Sequence, residues 1–139
     1  MMYRTAILAA LAAFAIGCGG STPTSASGSG NSGGSGGSGN NNPPVATTTI
    51  TITAAGVNPQ RITVAPGSRV TFINNDTRPH EMNSDPHPTH GECPPIDDVG
   101  FLAAGQSKLT GNMTVVRTCG FHDHNQPDVQ SLKGQIIIQ

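Results

Sequence analysis

The chain has 139 residues, with seven basic and eight acidic side chains, five histidines, three cysteines and no tryptophan, for a net charge of −1. That length holds one domain with a substantial core and leaves little room for a second. The near balance of charge, with no basic stripe, excludes a nucleic-acid binder that works by neutralising phosphates.

The start of the chain reads as a leader. Arg4 precedes an apolar run from Ala6 to Ile16, which ends at Gly17-Cys18. A basic start, an apolar stretch of about ten residues and small residues at the cut make a secretory signal peptide, too short for a comfortable membrane span. Ala15-Ile16-Gly17-Cys18 resembles a lipobox, in which residues 1–17 are removed and Cys18 is acylated as the mature N-terminus. Two acyl chains give stable attachment, so a lipid membrane is an expected partner. Gly19 stands where Asp would direct retention at the inner membrane. The expected location is therefore the cell envelope, lipid-anchored on the periplasmic side of an outer membrane or at the cell surface.

Residues 18–44 follow the leader as the acylated Cys and a linker of Gly, Ser, Asn, Thr and Pro. Such a segment buries too little apolar area to repay the entropy of ordering, and is expected to be disordered. Its r.m.s. reach is roughly 25 to 30 Å.

The folded domain is expected over residues 45–139. Thr49-Ile50-Thr51-Ile52-Thr53 and Arg61-Ile62-Thr63-Val64 alternate with period two, the pattern of strands with one buried face. Ala65-Pro66-Gly67-Ser68 is a turn, followed by a strand over 69–74 and a second turn at Asn74-Asn75-Asp76. From His80 to Ala104 the periodicity is weak and Pro86, Pro88, Pro94 and Pro95 intervene, so a long loop with at most a short helical turn is expected. Strands resume over 106–110, 113–118 and 134–138. Short strands between Gly, Pro and Asn turns predict an all-β sandwich or barrel.

All the histidines fall in two regions, His80, His87 and His90 in the first and His122 and His124 in the second. Cys93 and Cys119 share those regions. Imidazole and thiolate suit copper or zinc, and the oxygen-rich sets of calcium or magnesium are missing. If both regions emerge at one end of a sandwich, a metal site forms there. Asp85, Glu92, Asp97, Asp98 and Asp128 read as solvated loop charge. Asp123 and Glu81 stand beside proposed ligands, where a carboxylate fixes an imidazole tautomer. Met82 and Met113 are thioethers at positions where a core role is the ordinary one.

Three features together resemble the cupredoxin family, the plastocyanin and azurin type of blue copper domain. They are the strand, turn and strand from Ile62 to Phe72, the Asn74-Asn75-Asp76 turn a few residues before His80, and Cys119-Gly120-Phe121-His122 ahead of Gly134 and Ile136 to Ile138. The resemblance implies a Greek-key β-sandwich holding one copper ion, with His80, Cys119 and His122 as ligands. Leu132 stands where the family has its axial Met, and leucine cannot donate to a metal. His124 is the nearest spare donor, with His87 and His90 as further candidates. The implied function is one-electron transfer or copper handling, with a redox or copper-transfer protein as partner and no enzymatic activity.

A second reading competes. In an oxidising compartment Cys93 and Cys119 form an even pair and a candidate disulfide once Cys18 is acylated. The site would then be histidine-only, in a non-redox copper or zinc binding or storage module.

Overall fold

The computed structural model describes residues 42–139; the expected leader, Cys18 and most of the linker lie outside the described residues. The alternation read from the sequence is realised first in β2 (Thr49–Thr53), whose isoleucines are fully buried while its threonines are half-buried. Branched side chains are stiff at χ1 and pack well on a pleated surface, which suits them to such strands. β4 (Arg61–Val64) and β5 (Thr71–Asn74) repeat the pattern with Ile62, Val64 and Phe72 turned inward.

Two mixed sheets result. One runs β1 (Val45–Ala46), β4, β10 (Gly134–Ile138), β9 (Arg117–Asp123), β6 (His80–Ser84) and β7 (Gly100–Leu102). The other runs β3 (Gly56–Asn58), β2, β5 and β8 (Ser107–Leu109). β10 lies parallel to β4 and antiparallel to β9, so the last strand ties the first half of the domain to the second. Between the sheets Phe72 and Phe121 meet edge to face at 5.2 Å, within a core of Ile50, Ile52, Ile62, Leu102 and Ile136. Gly134 pairs with Phe121, and a Cβ there would run into the Phe121 ring and the Gln60 carbonyl, so this crossing needs glycine.

The region expected to be one loop from His80 to Ala104 holds two strands, β6 and β7, as well as the short helix α1 (Pro94–Asp97). His80, Met82 and Ser84 are buried and alternate with half-buried Glu81 and Asn83, a period-two signal hidden by its polar residues. The strand expected over 113–118 is displaced. Met113 makes only an isolated bridge to Ser68, Val115 and Val116 are exposed, and pairing begins at Arg117.

Candidate metal centre

β9 and β6 are antiparallel neighbours in which Met82 pairs with Asp123, Asn83 with His122 and Ser84 with Phe121. Successive side chains on a strand point to opposite faces. Cys119, Phe121 and Asp123 therefore face the core, whereas His122 faces the other way and His124 follows it two residues on. The segment between β6 and α1 folds over that outer face and brings His87 and His90 with it.

One ligand atom from each of His87, His90, His122 and His124 can be chosen so that all lie within 4.8 Å of one another. His87 is exposed, His90 and His124 are half-buried, and His122 is buried. The covering segment is pinned at several points. The Asp85 amide donates to the Gly120 carbonyl at 3.1 Å, the Glu92 amide to the Asp85 carbonyl at 2.9 Å and the His90 amide to the Pro86 carbonyl at 2.9 Å. Ser84 Oγ donates to the His90 carbonyl at 2.9 Å, and Asp97 accepts from the Ser84 amide at 2.7 Å, so Asp97 is more than solvated charge. His90 sits at φ 50, in the left-handed region that non-glycine residues seldom occupy, and these bonds hold it there.

Hydrogen bonding fixes which nitrogens are free. His90 Nδ1 donates to the Ser84 carbonyl at 2.9 Å, leaving the lone pair on Nε2. His122 Nδ1 donates to Asp85 Oδ1 at 2.7 Å, and its Nε2 is buried with no partner. An unpartnered buried ring nitrogen in a residue grouped with three other histidines is a candidate ligand atom. His90 Nε2 and His124 Nδ1 lie 2.8 Å apart and share one proton, whose place an ion would take. Two nitrogens at that spacing suit adjacent ligands of an ion with bonds of about 2.0 to 2.1 Å. Loss of hydration among its neighbours holds the His87 imidazolium below its ordinary pKa even though the residue is exposed, and His124, His122 and His90 add to the effect while Asp128 opposes it. His87 is thereby biased toward its neutral form.

Two expected ligands stand elsewhere. Cys119 is bonded to Cys93 in a disulfide whose Cα atoms are 5.8 Å apart, so it has no thiolate to offer. The three-residue step from Cys119 to His122 also puts the two on opposite faces of β9. His80 is fully buried on the core side, with Nδ1 at 2.8 Å from Asp123 Oδ2 and Nε2 at 3.2 Å from Asp76 Oδ2. Both its nitrogens are engaged by carboxylates, so the trigonal set of His80, Cys119 and His122 does not assemble. His122 and His124, and the further candidates His87 and His90, do come together. Leu132, in a 3-10 turn (Gln130–Leu132), and Met82 and Met113 are buried in the core. His87 and His90, expected only as further candidates, stand beside His122 and His124. The signal was present as His-x-His at 122–124, which a strand places on one face, and His-x-x-His at 87–90.

No family model and no curated protein matches the sequence. Among solved structures the chain is similar to a purple cupredoxin from Nitrosopumilus maritimus, at 17% identity and a TM-score of 0.54, with 67% of this chain and 100% of that one covered. It is also similar to a mutant fern plastocyanin, at 18% identity and a TM-score of 0.52, with 66% and 99% covered. The plastocyanin of Dryopteris crassirhizoma gives 16% identity and a TM-score of 0.51, again with 66% and 99% covered.

Proposed function

We propose, starting from the cupredoxin fold that these likenesses show, that the domain is a copper-binding module whose ion is held by His87, His90, His122 and His124. The observation that carries this reading is the convergence of those imidazoles on one point, with the buried Nε2 of His122 left unpartnered. An all-imidazole set suits Cu(II), with Zn(II) as the main competitor; soft thiolate, which would favour Cu(I), is withdrawn into the Cys93–Cys119 bridge. Bound copper would supply a one-electron couple, while the chain fixes the ligands and lets the ion be reached from the side of exposed His87. Copper binding, storage or delivery is the role this supports best. Electron transfer is the second reading, favoured by a covering segment pinned before any ion binds, since rigid ligands reorganise little when the metal changes charge.

The test is metal loading of purified, unreduced protein. One Cu(II) per chain, no titratable thiol and a pale visible spectrum without an intense sulfur-to-copper band are expected. A free thiol together with an intense band would restore Cys119 as ligand and overturn the histidine-only centre. Reversible reduction of the copper-loaded protein without loss of the ion separates electron transfer from storage.

The module's placement is proposed from the leader alone. Acylation at Cys18 would hold it at an outer membrane or cell surface, where a redox or copper-transfer protein could meet it. Incorporation of labelled palmitate into the wild-type chain and none into C18A is the expected result.

A further inference from the structure

Asp85 belongs to the turn that leaves β6, and its reach to the centre runs through His122. Its Oδ1 accepts from His122 Nδ1 at 2.7 Å, and the backbone on either side of this carboxylate is tied down. The Asp85 amide is bonded to Gly120, and the Asp85 carbonyl to the Glu92 amide, so the side chain is aimed by its own main chain. Gly120 completes the seat. A Cβ added at Gly120 would strike the Asp85 carboxylate, so only glycine on β9 lets the acid lie against the strand and meet the ring.

We infer that Asp85, seated on Gly120, is a positioning residue of the four-histidine centre that fixes the His122 tautomer and offsets the charge of a divalent ion; this rests on the metal-centre reading. Two consequences separate these roles. As acceptor, Asp85 keeps the His122 proton on Nδ1 and leaves the lone pair on the buried Nε2. As anion, it is hydrogen-bonded to a ligand set that is otherwise neutral. Four imidazoles add no negative charge, so an ion of charge two depends on such a neighbour more than an ion of charge one. The acid's 42% exposed side chain leaves its charge partly screened, while the ring it holds is 2% exposed.

The experiment has a metal-free arm and a metal-bound arm. Nitrogen-15 NMR of the metal-free protein is expected to show His122 protonated at Nδ1 in the wild type and in D85N, whose amide oxygen still accepts, and a tautomer mixture in D85A. Titrations with Zn(II), Cu(II) and Ag(I) are expected to show D85A weakened about 10- to 100-fold for the divalent ions. D85N should lose a smaller factor for the divalent ions and almost none for Ag(I), and G120A should behave like D85A. If the wild type binds one Cu(II) and D85A binds it equally well, Asp85 has no such role and the centre survives. If the wild type binds neither copper nor zinc, the centre falls, and the tautomer of His122 still decides whether Asp85 orients the ring. Should D85A fail to fold, D85N and the wild-type spectrum carry the decision: His122 protonated at Nε2 in the wild type overturns the inference outright.

Discussion

Asn74 does at the end of β5 what a stretch of backbone would otherwise have to do. Fully buried, its Nδ2 lies within 2.9 to 3.1 Å of the carbonyls of Arg78, Leu102 and Ala103, and its Oδ1 accepts from the Asp76 amide at 2.9 Å. Asn74→Ala strands those groups, and a destabilisation of about 2 to 4 kcal/mol is expected in urea unfolding, since each orphaned buried group costs about 1 to 3 kcal/mol. The turn it organises presents Asp76 to Arg78 at 3.0 Å and to His80 at 3.2 Å. Burial alone would raise the Asp76 pKa, but hydrogen bonds from Arg78, His80 and Thr77 outweigh it and bring the carboxyl from 3.8 down to about 2. A carboxyl depressed in the folded state stabilises the fold above its unfolded pKa and loses that contribution as pH falls through the folded one. The wild type should therefore lose stability between about pH 4 and pH 2 more steeply than Asp76→Asn, as read from denaturation midpoints across that range. The sequence flagged Asn74, Asp76 and His80 as a turn leading to a ligand. The turn was legible; the fate of His80 was not, because Asp123 lies 43 residues away and only the register of β6 against β9 brings the two side chains together.

At the level of elements, the site follows from one strand's two faces. β9 sends Cys119 inward to Cys93 at the start of α1 and His122 outward under the segment that precedes α1. A Cys-x-x-His motif can serve one metal where the chain turns, and cannot where it runs extended. That distinction depends on where β9 ends, and strand ends are the least legible feature of a sequence. The disulfide was legible from redox context alone, without knowing the pairing geometry. It closes a loop spanning 26 positions, and His87 and His90 lie just ahead of that loop. In the chain-entropy picture, Cys93→Ala/Cys119→Ala should cost about 3.5 kcal/mol in urea unfolding. Under conditions where the variant is still folded, its copper spectrum should match that of the wild type, because neither sulfur is a ligand. A changed ligand field in that variant would count against the histidine-only set.

Across the whole domain the four imidazoles come from three places: the segment after β6, β9 itself and the turn beyond it. Binding would therefore cross-link parts of the chain that separate on unfolding, and the all-β fold read from alternating Ile, Val and Thr is the scaffold that makes the cross-link possible. An ion that binds the folded chain and has little affinity for the unfolded one stabilises by about 2.7 kcal/mol when its free concentration is a hundred times its Kd. For a domain of 60 to 100 residues each kcal/mol moves the Tm by roughly 4 to 8 °C, so saturating Zn(II) should raise the Tm by about 10 to 20 °C. Chelator should reverse the rise, and His90→Ala/His124→Ala should abolish it, which thermal melts followed by circular dichroism would measure. Zinc is the better probe for this step because it has no redox chemistry to confuse with unfolding. If zinc binds at one per chain yet leaves the Tm unmoved, it binds the unfolded chain as tightly as the folded one. The histidines would then be a local sequence cluster, and the fold that brings the segment after β6 against β9 would have no part in choosing the ion.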